Sequence, residues 1–182
     1  MNLDSALDIA TPLIASFEGF SSHAYYDVNG YAIGYGNHYY GDGTSVKQGD
    51  TITKADALVL LKSTARDYAN QILPSIKVDL TDAQLASLIS LSYNCGPGAV
   101  KNSQVLRLIN AGAPAADIQA QYEKTCITAK GVYNETLAQR RLKEALAFAK
   151  DFVQKNKTWI IIMIGVIAAG LAFYYTYRIE KA

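Results

Sequence analysis

The sequence predicts an α+β fold, mostly helical with a small β-hairpin lobe, followed by a C-terminal transmembrane helix. Three observations predict it. Apolar residues recur at helical spacing along most of the chain, from Leu13, Ile14 and Phe17 to Ala149, Phe152 and Val153. Asn29-Gly30 is a two-residue turn signal flanked by tyrosine-rich β formers, so Ala24–Val28 and Tyr31–Gly36 are expected to pair as a hairpin. Trp159–Tyr177 runs for nineteen residues without a charge, enough to span ~30 Å at ~1.5 Å per residue. The expected division is one domain over residues 1–155 and an anchor with a short tail over residues 156–182.

Taken in order, residues 1–10 carry Asp4 and Asp8 but no lysine or arginine. They lack the basic segment of a cleavable signal peptide, so no N-terminal export signal is expected. Thr11-Pro12 reads as a helix start, with Thr as the cap and Pro in the first turn, and an earlier helical turn over residues 2–10 leads into it. That helix delivers Glu18, and Gly19 stops it. After the hairpin, Gly41, Gly43 and Gly49 fit loops, with a third short strand around Thr44–Val46. Thr53 to Asp56 and Thr81 to Gln84 are capping-box patterns that open two helices. The first presents Leu58, Leu61, Ala65, Tyr68 and Ile72 on one face and ends at Pro74. The second presents Leu85, Leu88, Ile89 and Ser92, and ends at Asn94-Cys-Gly-Pro-Gly98. Two short helices are expected near Ser103–Asn110 and Ala115–Lys124. From Thr136 the pattern is helical without interruption.

With 182 residues, 50% of them apolar, the chain can bury one ordinary core and still leave a segment over. Seventeen basic against sixteen acidic residues, with no basic run, give nucleic-acid binding no electrostatic support. Cys95 and Cys126 are too few for a disulfide scaffold and match no metal-ligand spacing with His23 and His38. Both read as buried thiols, and no metal or cofactor is expected. The two histidines read as surface or satisfied loop residues, with a substrate role open for His38.

The stretch Glu18 to Gly36 carries the chemistry. Glu18 stands at a helix end and Asp27 at a hairpin strand end, nine residues on. Two carboxyl groups in unlike surroundings are what glycoside cleavage needs: one protonated to donate to the leaving oxygen, one ionised to activate water or stabilise the cationic sugar. A helix-terminal Glu beside Gly and an aromatic is open to partial desolvation, which raises a carboxyl pKa; pairing with Arg140 or Arg141 would oppose that shift. Spacing alone also fits a surface ion pair at Glu18 and a turn-capping Asp27.

The full string favours the catalytic reading. Glu-Gly-Phe, Ala-Tyr-x-Asp, Gly-Tyr and Ile-Gly-Tyr-Gly resemble the active-site segment of the phage T4-type lysozymes, endolysins that cut peptidoglycan glycan strands. Further segments over roughly residues 10–150 resemble the family in its order. Asp50–Ala57 looks like its interlobe helix start, Tyr93–Ile109 like its turn and Asn-Ser helix start, and Val132–Arg141 like its closing Tyr-Asn-x-Thr turn and basic helix. The resemblance implies a lysozyme-like domain with Glu18 and Asp27 catalytic, Tyr31, Tyr35, Tyr93 and Asn94 as cleft residues toward sugar rings, and bacterial peptidoglycan as substrate. For each tyrosine a core role is equally open. One departure matters: the family usually carries Thr before Ile-Gly-x-Gly, to help position water, and this chain has Ala32. Either Asp27 holds the water with another group, such as Thr44, Asn37 or His38, or no water is used. The second case would be a lytic transglycosylase, in which the sugar's own hydroxyl attacks. A third reading keeps the fold as a structural or glycan-binding virion protein with weakened catalysis.

The anchor is independent of that resemblance. Trp159 at one end, and Tyr174, Tyr175 and Tyr177 at the other, sit where interfacial belts lie. Gly165/Ala169 and Ala168/Ala172 have the small-xxx-small spacing of packed transmembrane helices, a hint of self-association. Arg140, Arg141, Lys143, Lys150, Lys155 and Lys157 outweigh Arg178 and Lys181, so the positive-inside rule keeps the domain on the cytoplasmic side. A single-pass anchor in the host inner membrane, or in the internal membrane of a phage virion, is the expected location.

Overall fold

The computed structural model describes residues 1–149. Helix α1 (Leu3–Glu18) is followed by strands β1 (Ser21–Asp27) and β2 (Gly30–Gly34), then α2 (Lys54–Ile72) with a 3₁₀ turn at Leu73–Ser75. Next come α3 (Asp82–Cys95), α4 (Pro97–Lys101), α5 (Gln104–Asn110), α6 (Ala115–Tyr122), the two-residue strands β3 (Thr128–Ala129) and β4 (Val132–Tyr133), and α7 over residues 135–149. No helix among the described residues is long and apolar enough to cross a membrane. The expected span Trp159–Tyr177, its small-residue pairs and the domain boundary at residue 155 lie outside the described residues.

Helix α3 is the axis. Every residue from Ala83 to Leu91, and Ser92 after it, is buried, so α3 is covered all round. Its Thr81 cap and Gln84 close a reciprocal capping box, as the sequence pattern requires. On one side α3 meets α1 and α2 through Ala6, Leu7, Ala10, Ile14, Leu61, Ala65, Leu85 and Ile89, where alanines allow close approach. On the other side Leu88 and Leu91 pack with Val105, Ile109, Ile118, Tyr122 and Phe148. Buried serines on such a helix need partners: Ser87 Oγ donates to the Glu144 carbonyl at 2.8 Å and lies 2.9 Å from the Tyr122 hydroxyl.

Four expectations need correction. Helix α1 begins at Leu3 with Asn2 as cap, and it runs through Thr11-Pro12 instead of starting there. Thr11 donates its hydroxyl back to the Leu7 carbonyl at 2.7 Å. A proline inside a helix costs ~3 kcal/mol, but Ala6, Leu7, Ala10 and Ile14 form one continuous face with no exposed surface, and its burial outweighs that cost.

The hairpin turn falls one residue earlier than read. Asp27 pairs with Gly30, leaving Val28 and Asn29 as the loop. A type I′ turn needs positive φ at both central residues and a type II′ turn at the first; here the positive value, 118°, sits on Gly30 after the turn. Around Thr44–Val46 there is an isolated bridge between Ser45 and Tyr39 in place of a third strand. On α2, Tyr68 is only partly buried and Ala57, Leu60 and Ala69 take the core positions.

The hairpin lobe packs Ile33 and Val46 on Leu60 of α2 as a small separate core. It docks on α2 at Gly34, whose φ is 65° and where an added Cβ would stand 3.0 Å from the Ala57 Cβ. Backbone conformation and contact both demand glycine there.

Candidate active site

Glu18 is the last residue of α1, and Gly19 ends the helix in a conformation, φ 69° and ψ 169°, that other residues seldom adopt. Asp27 closes β1 and accepts the Val28 amide on Oδ1 at 2.6 Å. Both carboxylates face one open cleft of about 600 Å³ between the hairpin lobe and the helices. The floor comes from α2 and α3, and the far wall from the loop over residues 35–43.

Glu18 is held from the C-terminal side of the fold. Arg140 Nη1 lies 2.5 Å from Glu18 Oε1, with the Glu18 side chain 24% exposed and that of Arg140 5%. Of the two arginines considered, Arg140 makes this contact. Arg141 is turned to Asn94 Oδ1 at 3.1 Å and Cys95 Sγ at 3.2 Å. Glu144, fully buried, joins them: its Oε1 accepts Arg140 Nε at 3.1 Å, Arg141 Nη2 at 3.0 Å and Ser90 Oγ at 2.7 Å. Burial pushes the Glu144 carboxyl up from its ordinary value, while the two guanidiniums and Ser90 pull it back. Two buried cations thus meet two carboxylates, one of which opens into the cleft.

Of the expected cleft residues, Tyr35, Tyr93 and Asn94 line it and Tyr31 does not. Tyr31 packs on the hairpin core and stands edge-on to Tyr26 at 5.5 Å. Tyr35 is only 3% exposed and belongs largely to the core. Tyr93 donates its hydroxyl to the Tyr35 carbonyl at 3.1 Å, and burial pushes that hydroxyl well above the usual tyrosine range, so it stays a donor.

Several lining residues escaped the sequence reading. Thr64 and Tyr68 come from a helix read as purely structural, and Tyr68 tilts against Tyr93 with centroids 6.0 Å apart. Asn37 donates to Thr64 Oγ1 at 2.8 Å, while its own Oδ1 finds no partner among the described residues. His38, one of three groups offered as a water holder, faces Asp27: its Nε2 is 3.8 Å from Asp27 Oδ2, and its Nδ1 is 3.1 Å from the Tyr31 carbonyl. Thr44, another of the three, is exposed and spends its hydroxyl on Asp42 Oδ1 at 2.7 Å. Ala32 is fully buried and outside the cleft lining. His23 is exposed beside Ser22, at 2.9 Å. The cysteines also differ from expectation: Cys95 is half-buried and Cys126 exposed, both as free thiols.

The family model described as phage lysozyme matches residues 15–144. The chain belongs to the phage lysozyme family. Among its relatives, it is 39% identical to an endolysin of Bacillus phage B103 over 103 residues, covering 55% of this chain and 38% of that protein. It is 36% identical to the SAR-endolysin of Enterobacteria phage P21 over 114 residues, 59% of this chain and 67% of that one. This phage lysozyme spans about 38% and 51% of the length of the two Bacillus phage endolysins it matches. Among solved structures, the endolysin of Escherichia coli O157:H7 phage FAHEc1 superposes with a TM-score of 0.70 at 31% identity, covering 81% of this chain and 93% of that one. The muramidase domain of SpmX from Asticaccaulis excentricus gives 0.66 at 27% identity, over 76% and 93% of the two chains. The lysozyme-like, mostly helical fold with a small antiparallel sheet stands on these likenesses.

Proposed function

We propose that this phage lysozyme is a glycosidase that hydrolyses the β-1,4 bond between N-acetylmuramic acid and N-acetylglucosamine in bacterial peptidoglycan. The observation that carries the reading is Glu18 at a helix end, partly open to a polar cleft, with Asp27 facing the same space. Glu18 donates a proton to the leaving O4 oxygen. Asp27 takes a proton from the water that attacks the anomeric carbon. Tyr93 and Asn94 flank the sugar, and Arg140 fixes the Glu18 side chain as the glycan arrives. The test is clearing of a peptidoglycan suspension by the full chain in mild detergent. Native protein is expected to clear it and Glu18→Gln to leave it turbid; clearing by Glu18→Gln would end the proposal.

A lytic transglycosylase is the second reading, favoured by one observation: position 32 carries no hydroxyl and lies outside the cleft lining. In that case Glu18 alone is essential and the products end in anhydro sugars. A glycan-binding virion protein without catalysis would clear nothing, even as the native chain.

The membrane tether remains part of the proposal on its sequence: nineteen uncharged residues from Trp159 to Tyr177, with aromatic ends. The fold changes the topology argument. Arg140 and Arg141 are buried and paired, so they leave the basic side of the tally, and Lys143, Lys150, Lys155 and Lys157 still outweigh Arg178 and Lys181. A domain facing the cytoplasm meets the wall only when the host membrane fails, or at entry if the protein rides in the bilayer of a virion. Membrane flotation of the full chain against a chain cut before Trp159 tests the tether.

A further inference from the structure

We infer that His38 holds the attacking water together with Asp27, in the place of the hydroxyl missing at position 32. The inference rests on the glycosidase reading above and adds a residue to it. A backbone carbonyl only accepts, so the contact between His38 Nδ1 and the Tyr31 carbonyl at 3.1 Å places a hydrogen on Nδ1. In that neutral tautomer Nε2 is the acceptor, and it faces Asp27. Nε2 and Asp27 Oδ2 are 3.8 Å apart, too far for a direct hydrogen bond and close enough for one water to reach both. Asp27 Oδ1 is already engaged by the Val28 amide, which leaves Oδ2 for this task.

The chemistry closes on these groups. The water gives one hydrogen bond to Asp27 Oδ2 and the other to His38 Nε2, which turns an oxygen lone pair toward the anomeric carbon. As the new C–O bond forms and the glycosidic bond breaks, the proton of that water passes to Asp27. The proton of Glu18 passes to the departing O4. His38 ends the step as it began, so it acts as a positioning residue. The other two groups are less suited. Thr44 is exposed and turned to Asp42, and Asn37 has its amide on Thr64 and is 4% exposed. His38 is a quarter exposed at the side chain and lines the cleft beside Asp27.

The test uses the full chain in mild detergent on purified peptidoglycan, with products weighed by mass spectrometry. His38→Ala is expected to lower kcat for release of reducing ends by about 100-fold, with KM within about threefold of native. The share of anhydro ends, one water lighter, is expected to rise, because the sugar's own hydroxyl competes once the water is loose. His38→Gln keeps an acceptor oxygen at similar reach, should retain more activity than alanine, and carries the test if the alanine variant does not fold. A kcat near native in His38→Ala, a His38→Gln no more active than alanine, or a loss confined to KM overturns the inference. Glu18→Gln separates the two claims: if it abolishes cleavage while His38→Ala leaves kcat intact, only the role of His38 is lost.

Discussion

The guanidinium of Arg140 holds the Glu18 carboxylate at 2.5 Å across 122 residues of chain. The same side chain reaches Glu144 at 3.1 Å and the Ser90 carbonyl at 3.2 Å, and its flat face lies 4.8 Å from the centre of the Phe17 ring. One buried residue therefore ties the middle of α3 and the middle of α7 to the proposed acid at the end of α1.

Arg140→Met is expected to be strongly destabilising. It leaves Glu144 with Arg141 alone and releases Glu18, and breaking one side of a buried ion network costs about 3–5 kcal/mol. Thermal unfolding should show a fall of roughly 10 °C, at ~2–4 °C per kcal/mol for a chain of this size. Arg140→Lys keeps the charge without the fork that serves three oxygens, and should fall between the two.

Gly34→Ala should destabilise by about 1–3 kcal/mol. The positive φ of 65° and the 3.0 Å approach to the Ala57 Cβ both act against it. Urea unfolding gives the stability, and cleavage should weaken in parallel because β2 carries the hairpin that presents Asp27. The same substitution at Gly98 meets nothing within 4 Å and no positive φ, so it should be nearly silent.

The two thiols are expected to differ in reactivity. The neighbouring Cys95 brings the Cys126 thiol down to about 7, while the same interaction and burial push Cys95 up. The thiolate is the nucleophile, so iodoacetamide should label Cys126 with a rate that rises as pH passes about 7 and then levels. Cys95 should remain unlabelled through the same range. Peptide mapping at successive pH values checks both.

The helix caps were the clearest part of the sequence. Thr53 and Thr81 each accept the amide three residues on, because side-chain oxygens at those positions have only local work to do. Glu18 and Asp27 were legible for a different reason: their setting between a helix stop and a turn is itself local. Pro12 misled because its local signal opposes a helix that long-range burial imposes. Asn29-Gly30 misled by one residue because either placement uses a glycine at positive φ.

Other features were legible only in part. Pairing of Glu18 with Arg140 or Arg141 was open from the sequence, but the buried Glu144 that joins both arginines shows only once α3 is known to cover them. His38 meets Asp27 only because the loop after β2 folds back through the Ile33 and Asn37 pairing. Nothing in the eleven-residue separation announces that contact.

The most direct measurement is the mass of the fragments that the native chain releases from purified peptidoglycan. Hydrolysis by Glu18 with a water held at Asp27 predicts fragments ending in a reducing N-acetylmuramic acid, absent with Glu18→Gln. Fragments one water lighter, ending only in anhydro sugar, or the same fragments from Glu18→Gln, would contradict it.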